Sequence, residues 1–286
     1  MDISSSRRRF LQVAGAGAVA FAASGRERIA AGASPEAPPA PAAVPFQLGM
    51  ASYTLRSFPV DQAIEMTKRL GLVRICFKDF HLKMDATDAE IADTVAKVKA
   101  AGLDLYAGGV IYMKSEAQVD RAFAYAKTAG MKMIIGVPNY ELIAYTNRKV
   151  QEYDIPCAIH NHGPDNPLFP TPQSAYERIA GLDRRMGLCM DVGHTQRSGV
   201  DPSESAEKYF DRLLDIHIKD VSAATAKGTT IEIGRGVIDI PKLLRTLKRL
   251  GYKGTLALEF EKDAKDPLPG SAESIGYLKG VLAALA

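Results

Sequence analysis

From Phe46 onward the chain alternates short apolar runs with longer segments in which apolar residues recur every three or four positions. Short apolar runs bounded by turn formers are strand signals, and the three-to-four-residue recurrence is that of an amphipathic helix. The pattern predicts strands at 47–53, 72–78, 103–111, 131–137, 155–161, 186–192, 213–219 and 254–260. Helices are expected near 60–70, 88–102, 116–129, 140–154, 172–181, 203–211 and 240–251, with a last one from about 272 to 285. Gly71, Gly102, Gly130 and Gly251 stand where four of these helices should stop, and glycine readily adopts the left-handed conformation that ends a helix. Thr87 and Ser115 stand where two should begin, with Glu90 three residues after Thr87 as in a capping box.

Eight strand–helix repeats in about 240 residues satisfy the count for a closed parallel barrel, so the expected fold is a single-domain (β/α)8, or TIM, barrel over 46–286. The competing open, doubly wound sheet usually carries a glycine-rich phosphate loop after its first strand. Here that position reads Ser52-Tyr53-Thr54-Leu55-Arg56, without a glycine.

The barrel gives meaning to where the polar residues fall. All five histidines (His81, His160, His162, His194 and His217) lie at the end of an apolar run. Asn161, Asp191, Lys219 with Asp220, and Glu259 end runs in the same way. The C-terminal ends of barrel strands are where such folds build their sites. Neighbouring strands lie about 4.8 Å apart, so residues closing four successive strands can meet at one ion. Taking one inward residue from each of the last four strands gives His160, Asp191, His217 and Glu259. Two imidazoles and two carboxylates suit one divalent transition ion and leave room for substrate oxygens. Around this set, His194 either orients a ligand or touches substrate, and His162 either joins the site or points away on the loop beyond its strand. Lys78 and His81, after the second strand, are candidates for the wall of the same mouth. Tyr53, Arg56 and Tyr112 are weaker candidates for that wall. Glu261 reads as a supporting residue, and Lys219 with Asp220 could equally be a surface ion pair.

Composition narrows the function classes. The formal charge is +3, but five arginines against three carboxylates in residues 1–45 hold +2 of it, leaving the body near neutral. A near-neutral body offers no electrostatic footprint for nucleic acid. Three cysteines without a CxxC spacing argue against a disulfide framework and read as buried free thiols. Ser6-Arg7-Arg8-Arg9-Phe10-Leu11-Gln12, followed by a Gly/Ala-rich stretch, resembles a twin-arginine export motif. It sets residues 1–33 as a signal peptide, 34–45 as a Pro/Ala linker, the twin-arginine machinery as a partner and the periplasm as destination. That stretch is too short and glycine-rich for a stable membrane span, which needs roughly 20 apolar residues.

The segments MGLCMDVGH, DIHIKD, IGRGVID and GYKGTLALEFE together make residues 46–286 similar to the xylose isomerase-like barrels, which include sugar phosphate isomerases and ketose 3-epimerases. The resemblance implies a bound Mn²⁺, Co²⁺, Mg²⁺ or Zn²⁺ ion, a small carbohydrate substrate and often a homo-oligomer. Asp191, His217 and Glu259 match three of the family's four ligands. His160 departs, because epimerase-like members carry Glu-Asn-His where this chain has His160-Asn161-His162. Those epimerases use two opposed glutamates as acid and base, and only Glu259 of that pair is present. A histidine there shifts metal preference toward Zn²⁺ or Co²⁺, or serves as the second acid/base group. The resemblance also implies a sugar-hydroxyl or buffering role for Lys219 and substrate binding by Arg235.

The resulting expectation is an isomerase or epimerase with Glu259, His160 and Lys219 in catalytic roles, with a metal-dependent lyase acting on an oxidised glycoside as alternative. A sugar-binding barrel without turnover is the non-enzymatic alternative, motivated by His160 at the glutamate position. A phosphodiesterase of the endonuclease IV type is disfavoured, since it requires more His and Glu ligands and a basic groove.

Overall fold

A computed structural model describes residues 46–285; the expected signal peptide and linker lie outside the described residues. Eight parallel strands close into a barrel: β1 (Gln47–Ala51), β2 (Arg74–Phe77), β3 (Asp104–Met113), β4 (Met133–Pro138), β5 (Cys157–His160), β6 (Met186–Asp191), β7 (Leu213–Ile218) and β10 (Thr255–Leu258). A two-stranded antiparallel hairpin, β8 (Asp220–Val221) with β9 (Thr230–Ile231), follows β7. The helices are α1 (Val60–Arg69), α2 (Asp88–Ala100), α3 (Glu116–Thr128), α4 (Ile143–Tyr153), α5 (Pro172–Ile179), α6 (Val192–Arg197), α7 (Pro202–Lys208), α8 (Ile240–Leu250) and α9 (Leu268–Leu285). The eight-stranded barrel expected from the apolar runs is therefore present. Among the described residues no helix is long and apolar enough to cross a membrane.

Helix α8 shows how local sequence sets an element. Asp239 caps its start by accepting a hydrogen bond from the Lys242 amide at 2.8 Å, and Gly251 ends it at φ +69°. Between these signals Ile240, Leu243, Leu244 and Leu247 are fully buried, a one-sided stripe of the kind that packs a helix onto a barrel. Each such side chain contributes about 1.5–3 kcal/mol through burial. The capping box of Thr87 and Glu90 forms at α2, and Ser115 accepts from the Gln118 amide at α3, as their sequence signals predict.

Three features differ from the expectation. The last helix starts four residues early, at Leu268. Helix α6 and the β8–β9 hairpin have no apolar period and were not predicted. Both are built by carboxylates at strand ends. Asp191 accepts a hydrogen bond from the His194 amide at 2.7 Å, which starts α6. Asp220 accepts from the amides of Val221, Gly234, Gly236 and Ile238 at 2.9–3.1 Å, which folds the segment after the hairpin onto β8.

Candidate metal centre

Side chains two apart on a strand point to the same face. In β7 and just beyond it, Asp215, His217 and Lys219 therefore share the barrel interior at rising height. His160 and His162 do so at β5, Cys189 and Asp191 at β6, and Glu259 and Glu261 just past β10. Strand register brings the middle residues level: Asp191 pairs with His217, and His217 pairs with Ala257, two residues before Glu259.

The outcome is a buried cluster in which His160, Asp191, His217 and Glu259 each offer an atom, all within 4.8 Å of one another. His160 Nε2 lies 3.5 Å from Asp191 Oδ2, and His217 Nδ1 lies 3.4 Å from Glu259 Oε2. His160 Nε2 and both nitrogens of His217 are buried without a hydrogen-bond partner. Buried polar atoms are rarely left so, because each costs about 1–3 kcal/mol. Ligands about 2.1 Å from one ion sit within roughly 4.2 Å of each other, so the two-nitrogen, two-oxygen set is near the spacing and has the donor chemistry that one divalent ion requires. Cys189, paired with His160 across β5 and β6, also lies within reach of the two histidines. Burial, with the nearby Asp215 carboxylate, holds that thiol well above its ordinary pKa.

Lys219 sets the electrostatics. Its side chain is 1% exposed, and its Nζ lies 2.9 Å from Asp191 Oδ2 and 2.7 Å from Glu259 Oε2, and also bonds Glu261. Burial disfavours the ammonium, but the three carboxylates outweigh it and raise its pKa. Burial likewise pushes Asp191 and Glu259 up; the charges of His194 and Lys219 on the first, and of Lys219 and His217 on the second, reverse this and keep both ionised. His160 is drawn down to about 4, by burial first and the neighbouring His217 charge next. Burial and the adjacent His160 and His194 hold His162 neutral. The Lys219 stem runs against Gly193, where a Cβ would stand 2.5 Å from Lys219 Cγ. The glycine of the Asp-Val-Gly-His segment thus makes room for the lysine.

A cavity of about 260 Å³ opens above the cluster, with Tyr53, Lys78, Tyr112, His162, His194 and Glu259 in its wall. Tyr112 Oη lies 2.7 Å from His162 Nε2, and His162 Nδ1 lies 3.3 Å from His160 Nδ1. Lys78 Nζ donates to the Val110 carbonyl at 2.5 Å. Beneath the cluster, Tyr106 Oη donates to the buried Asp215 at 3.2 Å, and Asp215 Oδ2 lies 3.9 Å from His217 Nε2.

Of the residues singled out from sequence, His160, Asp191, His217, Glu259, Lys219, His162, His194 and Lys78 are brought together. Two are not. Arg235 lies on the surface, 61% exposed, and grips Glu273 through two hydrogen bonds, because the loop held by Asp220 turns it outward. His81 is buried away from the cavity, with Nε2 3.0 Å from the Phe58 carbonyl. The surface ion pair considered for Lys219 and Asp220 does not form: both are buried, with different partners. Arg56 stacks on Tyr53 and bonds the Tyr53 and Glu261 carbonyls, bracing the rim. Sequence reasoning missed Arg197, whose Nη1 lies 3.2 Å from His194 Nδ1. It also missed Asp215. A period-two count back from His217 would have found Asp215; nothing local signals Arg197. All three cysteines are buried and free, as expected.

The chain belongs to the xylose isomerase-like TIM barrel family, which it matches over residues 60–281. It is 27% identical over 146 residues to the rhizopine catabolism protein MocC of Rhizobium meliloti, covering 46% of this chain and 43% of that protein. It is 27% identical over 150 residues to the inosose dehydratase of Histophilus somni, covering 46% of this chain and 50% of that enzyme. The matched segments thus span half or less of these two relatives. The fold superposes on a D-tagatose 3-epimerase-like protein with a TM-score of 0.70 at 15% identity, covering 84% of this chain and 98% of the other.

Proposed function

We propose that this protein is a metal-dependent isomerase or epimerase that moves a proton at the carbon beside a carbonyl of a carbohydrate. The observation that carries this reading is the buried four-residue cluster opening into a cavity walled by acid/base groups. His160, Asp191, His217 and Glu259 would hold the ion, for which Mn²⁺, Co²⁺ or Zn²⁺ suits the mixed donors. When bound, such an ion supplies the Lewis acidity that makes a C–H next to a carbonyl removable. Glu259, kept ionised by Lys219, takes the proton. Lys219, bridging Glu259 and Glu261, or His194 at the cavity edge returns one. Tyr112, His162 and Lys78 orient sugar hydroxyls. The amino-terminal Ser6–Gln12 motif supports delivery through the twin-arginine machinery to the periplasm.

A second reading, a lyase, is favoured by His160 standing where an opposed glutamate would be needed for two-sided proton exchange. With one carboxylate base, the same carbanion could expel a leaving group β to it instead, and one relative bears the name of a dehydratase. Incubation in D2O with a panel of ketoses and oxidised glycosides, with Mn²⁺, Co²⁺ or Zn²⁺, tests both. Metal-dependent C–H to C–D exchange with an isomeric product supports the first reading. Exchange with loss of water or an aglycone supports the second. Absence of exchange with every metal and sugar contradicts both.

A further inference from the structure

The cluster is flanked by two cavities. His194 and Glu261 line both and form the ridge between them. The second, of about 490 Å³, is floored by Lys219 and Val221, and closed by Arg197, Lys262 and the Gly228–Ile231 edge of the hairpin. Enclosing ligand sites run from about 300 to 1,000 Å³. The cavity over the cluster, about 260 Å³, lies just below that range and suits one sugar ring. A single ring seated there would leave the larger cleft empty.

Charge decides what the larger cleft accepts. Arg197 is bound to Asp165 and donates to the Ala226 carbonyl at 2.7 Å. Lys262 Nζ pairs with Glu232 at 2.7 Å. Lys219 is surrounded by three carboxylates. Among the described residues, every cation of this cleft therefore has a carboxylate partner, with which a phosphate or uronate would compete even at the unpartnered Arg197 Nε. Thr229 and Thr230 add neutral hydroxyl groups to the hairpin side of the cleft. Neutral hydroxyls and committed charges suit a polyhydroxylated, uncharged group.

We propose that this cleft binds the second, uncharged unit of a two-unit carbohydrate, a disaccharide or glycoside, whose reacting ring lies over the cluster. The proposal rests on the carbohydrate reading above. It is tested by titrating the full-length protein, with and without Zn²⁺, with glucose, cellobiose, maltose, lactose and glucose 6-phosphate, following binding by calorimetry or saturation-transfer NMR. At least one disaccharide is expected to bind tenfold or more tightly than glucose. Thr229→Trp, on the exposed hairpin, should bring that disaccharide down to the glucose level with Zn²⁺ and glucose binding unchanged; Thr230→Trp provides a second obstruction of the same cleft. If glucose binds but no disaccharide gains over it, or the gain survives both tryptophans, the cleft proposal is overturned and the carbohydrate reading stands. A larger gain for glucose 6-phosphate than for any disaccharide overturns the uncharged class. If none of the sugars binds, the carbohydrate reading falls, and this proposal with it.

Discussion

The two halves of the barrel mouth treat their polar residues in opposite ways. At the ends of β1 and β2 the buried polar side chains bond to protein. Ser52 Oγ accepts from the Lys78 amide at 2.8 Å, Thr54 Oγ1 donates to the Leu258 carbonyl at 3.1 Å, and Lys78 Nζ donates one bond to the Val110 carbonyl. The exception on that side is His81 Nδ1, which lies away from the cavity. At the ends of β5, β6, β7 and β10, His160 Nε2 and both His217 nitrogens are buried without partners. Uncommitted buried groups are destabilising unless something binds them. The first half is a wall, and the second is a candidate site whose unpartnered nitrogens a bound ion would satisfy.

That contrast can be broken most severely at Lys219. Lys219→Met leaves Asp191 and Glu259 buried without their ammonium, and removal of one partner from a buried ion pair costs about 3–5 kcal/mol. Urea unfolding in EDTA should show that loss, and Zn²⁺ should restore much of it. Unchanged stability in EDTA would mean that the ammonium does not hold the carboxylates. Asp220→Ala should come next, at about 1–3 kcal/mol, since four backbone amides lose their acceptor. Its signature is local: faster amide exchange at Gly234, Gly236 and Ile238. The matching change in the other half, Ser52→Ala, should cost about 1 kcal/mol by thermal unfolding and leave metal content untouched. Altered metal content there would erase the distinction between the halves. Arg235→Ala should be smallest, within about 0.5 kcal/mol, with no change in metal or sugar binding. A large loss of sugar affinity would return Arg235 to the site.

Much of this was legible in the sequence because barrel strands are read twice, once as apolar runs and once as the polar residues that end them. His160, Asp191, His217 and Glu259 close four such runs, and strand spacing brings them together without further information. Helix α6 and the β8–β9 hairpin were not legible, since Asp191 and Asp220 hold them through side-chain bonds to backbone amides rather than through an apolar period. Arg197 follows from α6: its approach to His194 depends on a helix with no periodic signal. Arg235 was misplaced for a related reason, as its partner Glu273 is 38 residues away and only the fold of the loop brings it near.

Whether the buried strand-end cluster holds one divalent ion can be read by elemental mass spectrometry. The protein would be loaded with Mn²⁺, Co²⁺ or Zn²⁺ and freed of excess metal, as wild type and as Asp191→Ala/His217→Ala. One ion per chain is expected in the wild type and almost none in the double variant, with the variant still folded by circular dichroism. A wild type that retains no ion under any loading, or a folded double variant that keeps its full complement, would contradict it.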